Sequence, residues 1–215
     1  VKFMRYYLPL YPLLVISGTV AISMLLQKLP KLIIPLYTII FLPTFMWLLA
    51  FMSIYTKPHP WIQASDWILT TIPSNETIAT EHWDNVLPLY NSFNYSYETL
   101  ELYIPDSENK INKLVDSLEK SNYIVIATNR LTDSIPRWPD RYPATIEYYN
   151  KLLNERLGFS LIAEFTSYPS ILGYQINDQT ADESFTVYDH PRVRVFQKNN
   201  FDVDEVRKNL LRALE

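Results

Sequence analysis

The 215-residue chain carries 19 Lys/Arg, 23 Asp/Glu, three His, three Gly and no Cys, and its charge is sharply partitioned. Residues 1–60 hold five Lys/Arg and no acid, and residues 61–215 hold fourteen Lys/Arg and all 23 acids, so +5 is followed by −9. An acidic C-terminal part argues against nucleic acid as a partner, the missing Cys removes disulfides and thiolate metal sites, and three scattered Gly provide no phosphate-cradling loop.

Two uncharged apolar runs open the chain, Leu8–Leu26 with 19 residues and Leu32–Thr56 with 25. A helix needs roughly 20 apolar residues to cross a hydrocarbon core of about 30 Å. The expectation is a transmembrane hairpin over residues 1–56, with spans at about 8–26 and 32–55, followed by a domain over residues 57–215. Lys28 and Lys31 lie in the short linker between the runs, and the positive-inside rule places that linker in the cytoplasm. The C-terminal domain then falls on the extracytoplasmic side of a plasma membrane. Lys2, Arg5 and Lys57 sit on the opposite side and weaken this bias. Pro9, Pro12, Pro35 and Pro43 favour helices that pack against others. The chain is accordingly read as the C-terminal part of a longer membrane protein, in contact with upstream spans and with membrane lipid.

After Lys57-Pro58-His59-Pro60, apolar spacing predicts a helix over Trp61–Ile72. Thr77–Thr80 reads as a short buried strand and Tyr97–Ile104 as a half-exposed one. Asp106-Ser107 can cap a helix running to about Lys120. Tyr123–Ala127 is a continuous apolar strand of the kind buried on both faces. Pro143 opens a helix over Ala144–Leu157 that Gly158 ends. Phe159–Phe165, Phe185–Tyr188 and Val193–Phe196 read as strands, and Asp202–Leu214 as an amphipathic helix. This alternation predicts a three-layer α/β domain on a mostly parallel sheet, with a late hairpin at one edge.

Four clusters can carry chemistry. Lys2 to Pro12 contains Arg5 and three Tyr at the mouth of the first span. Arg5, with Lys2, either grips a lipid phosphate through paired donors or snorkels to the headgroups beside an aromatic belt. Glu81-His82-Trp83-Asp84 follows a strand, where α/β sheets bind ligands. Glu81, His82 and Asp84 suit acid/base work or sugar hydroxyls, and Trp83 suits a sugar ring. The same residues equally form a capping loop with Trp83 in the core. Asn129-Arg130 and Pro136 to Pro143 make a basic loop in which Arg137 and Arg141 suit anionic groups or serve as salt-bridged connectors. Tyr188-Asp189-His190-Pro191 reads as a turn. No spacing defines a metal centre or a catalytic residue, and no cofactor is expected; the need for a divalent ion is left open.

The Arg-Tyr-Tyr-Leu-Pro-Leu-Tyr-Pro core of Lys2–Pro12 resembles a late span of the polytopic GT-C glycosyltransferases related to protein O-mannosyltransferases and aminoarabinose transferases. The stretches Pro58–Trp67, Glu81–Asp84, Arg137–Pro143 and Phe185–Pro191 are similar to the C-terminal extracytoplasmic domain of prokaryotic family 39-like members. The resemblance implies transfer of a sugar from a polyprenyl-phosphate donor to an acceptor on the outer face. In that family the catalytic acid lies in the first external loop; here no acid precedes Asp66, so that loop is expected upstream. Only the late-span basic residue carries over, onto Arg5 and less directly onto Lys2. A membrane-anchored binding or scaffolding module without catalysis is the alternative.

Overall fold

The computed structural model describes residues 4–27 and 29–214. They form two compact units: one runs to Ile54 and also takes Pro169–Ile176, and the other comprises Tyr55–Tyr168 and the chain from Asn177 onward.

In the first unit a 3-10 segment, Met4–Leu10, leads into α1 (Tyr11–Leu26), and Pro30–Leu32 leads into α2 (Ile33–Met52). The helical stretches that overlap them, Tyr6–Met24 and Pro30–Thr71, are long and apolar enough to cross a membrane, and none of the residues in their most apolar 18-residue windows is buried. Their hydroxyls bond within the helix: Thr19 to the Val15 carbonyl at 2.7 Å, Ser23 to that of Thr19 at 2.8 Å, and Thr44 to that of Ile40 at 2.8 Å. A polar side chain satisfied this way does not need water. Thr44 follows Pro43, which sits inside α2 and cannot donate a helical hydrogen bond.

The second unit opens with α3 (Pro60–Thr71), where Pro60 occupies the first helical turn and the His59 ring accepts from the Trp61 amide. The strands β1 (Thr77–Glu81) and β2 (Ser96–Leu100) follow, then α4 (Glu108–Lys120), capped by the Ser107 hydroxyl. Next come β3 (Tyr123–Ile126), α5 (Arg130–Ser134), α6 (Pro143–Leu153) and β4 (Phe159–Phe165). The hairpin β5 (Ser170–Ile171) and β6 (Tyr174–Gln175) belongs to the first unit. The chain returns to the second unit with α7 (Glu183–Thr186), β7 (Val193–Lys198) and α8 (Val203–Arg212).

The sheet order is β2-β1-β3-β7-β4. β1 pairs in parallel with both β2 and β3, and β7 runs antiparallel to both of its neighbours, so four of the five strands share one direction. One face carries α4, α6 and α8 over Ile124, Ile126, Phe159 and Phe196. The other carries α3, whose Ala64 and Ile68, with Ile72 just after the helix, pack on Ile78, Val125, Val193 and Val195. The three-layer α/β architecture expected from the alternation is therefore present.

Three local expectations are corrected. Phe185–Tyr188 is not a strand: Asp182 accepts from the Ser184 amide and starts the short helix α7, a local capping bond that overrides the β-forming side chains. No edge hairpin forms from it, and β7 inserts between β3 and β4 instead. The strand expected to reach Ile104 ends at Leu100, because the Lys110 ammonium takes the carbonyls of Leu102 and Ile104, each at 2.7 Å. The helix after Pro143 ends at Leu153, where Glu155 turns to φ 57° before Gly158 at φ 88°.

Candidate functional site

In an open α/β sheet, ligands bind beyond the carboxyl ends of the parallel strands, where neighbouring strands send their connections in opposite directions. Here that place lies between β1 and β3, since β1 leads on to β2 at one edge and β3 leads toward β4 at the other. The residues at and just past the ends of these two strands are Glu81 to Asp84 and Ala127 to Arg130, so the fold joins the second sequence cluster to the start of the third.

A hydrogen-bonded bridge crosses this junction. Thr128 donates its hydroxyl to Asp84 Oδ2 at 2.6 Å and accepts from the Arg130 amide at 3.0 Å. Arg130 Nε lies 3.2 Å from Asp84 Oδ1, and its guanidinium sits 5.3 Å from the centre of the Tyr188 ring. On the α3 side, the Trp61 indole donates to the Ala127 carbonyl at 2.8 Å. Burial raises the Asp84 carboxyl above its usual range, against the opposing pull of Thr128 and Arg130.

Glu81 closes the interior end of the junction. It is 2% exposed, its Oε1 accepts from the Tyr149 hydroxyl at 2.6 Å, and its Oε2 has no hydrogen-bond partner. Burial pushes its pKa up to about 8; the Tyr149 bond opposes that rise, the Asp84 charge adds to it, and Arg194 opposes it. A neutral carboxylic acid therefore sits in the core near pH 7, able to hold a proton.

Arg194, whose charge acts on Glu81, donates to Asn129 Oδ1 at 2.9 Å, and Asn129 donates to Gln179 Oε1 at 3.4 Å. His190, fully buried, holds Asp178 Oδ2 at 2.8 Å. The fourth cluster, read as a turn, thus supplies a core histidine and the Tyr188 ring. Arg194, Tyr149 and Asp178 were not singled out in the sequence. For Arg194 a signal existed, because a charge between Val193 and Val195 on a central strand requires a buried partner.

The remaining sequence candidates lie elsewhere. His82 directs Nδ1 at the Leu100 carbonyl at 3.0 Å, tying the ends of β1 and β2. Trp83 is 54% exposed rather than in the core, with its ring edge-on to Tyr103 at 5.7 Å. Arg137 pairs with Asp182 and Glu183, and Arg141 lies over the Tyr142 ring at 5.3 Å. Arg137 also lines an open depression of about 560 Å³ with Thr132, Asp133, Gln179 and Asp182. Gln179 links that depression to the buried network. Burial lifts the Asp133 carboxyl above its usual range. Lys2 and the side chain of Arg5 lie outside the described residues. Among the described residues no group of three or more His, Asp or Glu is placed to hold a metal ion.

The strand ends thus carry a buried, internally bonded polar junction, with Trp83 exposed after β1 and Arg137 at the separate depression beside Gln179. No family model matches the chain, and neither the curated proteins nor the solved structures give a match.

Proposed function

We propose that this chain is the C-terminal part of an integral membrane glycosyltransferase of the GT-C type. Its N-terminal helices lie in the plasma membrane and its α/β unit on the extracytoplasmic side. The observation that carries the reading is the apolar surface of α1 and α2, none of it buried in the windows long enough to span a bilayer. Such a surface needs lipid or further spans to cover it. The transferase chemistry rests on the Arg5-to-Pro12 resemblance.

In this reading Arg5, with Lys2, pairs with the phosphate of a polyprenyl-phosphate sugar. The acceptor oxygen attacks the anomeric carbon and the carbon–oxygen bond to phosphate breaks. The acceptor proton passes to a carboxylate upstream of this chain, and the guanidinium balances the charge left on the departing polyprenyl phosphate. His82, Arg137 and Arg141 belong to a surface that positions the acceptor or the sugar, and the buried side chains of Glu81 and Asp84 support it from beneath; none of the five performs a chemical step.

The test is sugar transfer by the full-length protein in liposomes. Arg5→Ala abolishes transfer while insertion and abundance are unchanged; wild-type turnover in that variant rejects the assignment.

A second reading, a membrane-anchored binding module, is favoured by one observation. Asp84 and Glu81 are already engaged inside the fold, by Thr128 and Arg130 and by Tyr149. Full-length protein that inserts and binds acceptor but transfers no sugar supports it.

A further inference from the structure

The segment Pro169–Ile176 leaves the α/β unit and clusters with the apolar helices. Its two short strands pair Ser170 with Gln175 and Ile171 with Tyr174, so Leu172-Gly173 forms the tip. Both tip residues have positive φ, 51° at Leu172 and 86° at Gly173, as a tight two-residue hairpin turn requires. Asn or Asp is the usual first residue of such a turn, because a polar side chain eases the left-handed backbone. Here Leu occupies that position and is 86% exposed, with Tyr174 beside it 79% exposed. Pro169–Ile176 contains no charged residue. A water-facing loop gains nothing from a large apolar tip on a costly backbone.

The hairpin is fixed to the end of α2. Ser53, the residue after that helix, donates its hydroxyl to the Ala50 carbonyl at 2.7 Å. Its oxygen accepts from the Ser170 amide at 2.8 Å and lies 2.9 Å from the Ser170 hydroxyl. Ser53 thus ties the hairpin to the last α2 turns, where Trp47, Leu48 and Met52 are exposed, within one compact unit.

We propose that the β5–β6 hairpin is a membrane-interface anchor: Leu172 enters the boundary between lipid headgroups and acyl chains, and Tyr174 sits at headgroup level. The proposal rests on the reading of α2 as a membrane span and adds a second, non-helical contact with phospholipid. Amphipathic tyrosine rings favour that depth, and an apolar tip gains by leaving water there. The occupant is lipid rather than a protein groove, because the hairpin is tied to the end of a helix whose exposed apolar side chains call for a bilayer.

The test uses the full chain in phosphatidylcholine–phosphatidylglycerol vesicles. The sequence has no cysteine, so Leu172→Cys, Ile39→Cys in α2 and Lys208→Cys on α8 each carry one spin label. Collision rates are read with oxygen, which concentrates in lipid, and with a water-soluble nickel chelate. The expected result is a shift of the Leu172 label away from the nickel-accessible value at Lys208 toward the oxygen-rich value at Ile39, ending between the two. A label at Leu172 as open to nickel as Lys208, with Ile39 still in lipid, overturns the anchor and leaves the span intact. A label at Leu172 closed to both agents places the tip against protein and also overturns it. Nickel access at Ile39 removes the span and the anchor together.

Discussion

Tyr149 donates its hydroxyl to Glu81 Oε1 at 2.6 Å, joining helix α6 to the end of strand β1 inside the core. Glu81 is raised from 4.5 to about 8, mainly by burial, so the folded chain keeps a proton that the unfolded chain releases. The stabilising contribution of that proton is complete below about pH 4.5 and is lost as pH rises toward 8. Stability of the α/β unit is predicted to fall across this window by on the order of a few kcal/mol. In Glu81→Gln the slope flattens. Denaturant unfolding followed by near-UV circular dichroism at several pH values checks this, and an unchanged slope in the variant contradicts it.

Removing the donor is predicted to cost more than the lost bond alone. Tyr149→Phe leaves both oxygens of a buried carboxyl without a partner, an expected destabilisation of about 1–3 kcal/mol at pH 7. Combined with Glu81→Gln the loss is smaller than the sum of the singles, because the two side chains share one interaction. Unfolding midpoints of the four proteins measure the coupling.

The bridge across the strand ends supplies a third expectation. The Thr128 hydroxyl serves Asp84 and the Arg130 amide together, so Thr128→Val strands two polar groups and is expected to cost about 1–3 kcal/mol. Asp84→Asn is milder, because the amide keeps the carboxyl's shape and its oxygen still accepts from the Thr128 hydroxyl. Equal losses in the two variants contradict the account.

Backbone geometry sets a fourth. Gly158 has φ 88°, and a Cβ there would stand 2.5 Å from the Phe201 Cα and 2.6 Å from the Asn200 carbonyl oxygen. Both obstacles are backbone, so the chain itself must move. Gly158→Ala is predicted to destabilise the unit by at least about 2 kcal/mol, read from its thermal unfolding.

The regular elements were legible because their signals are local. Ser107 and Pro143 mark helix starts, and the unbroken apolar run after Tyr123 marks a central strand. Where local signals conflicted, sequence reading failed: Phe185 and Val187 favour a strand, yet the Asp182 cap and the following acid begin a helical turn. The insertion of β7 between β3 and β4 was invisible, because strand order is a long-range choice that short spacings do not encode. The site was half legible. Glu81 and Asp84 stood out as acids after a strand, but Tyr149 looked like an ordinary helix residue, and its partner lies 68 positions away. The Ser53–Ser170 contact, 117 positions apart, left no trace in composition or period.

The measurement that bears most directly on the account is retention of the expressed protein in membranes after washing with alkaline carbonate. With α1 and α2 buried in lipid, the chain stays with the membrane pellet and enters solution only with detergent. Release by carbonate, as a monomer soluble without detergent, contradicts the membrane-embedded architecture on which the proposed function depends.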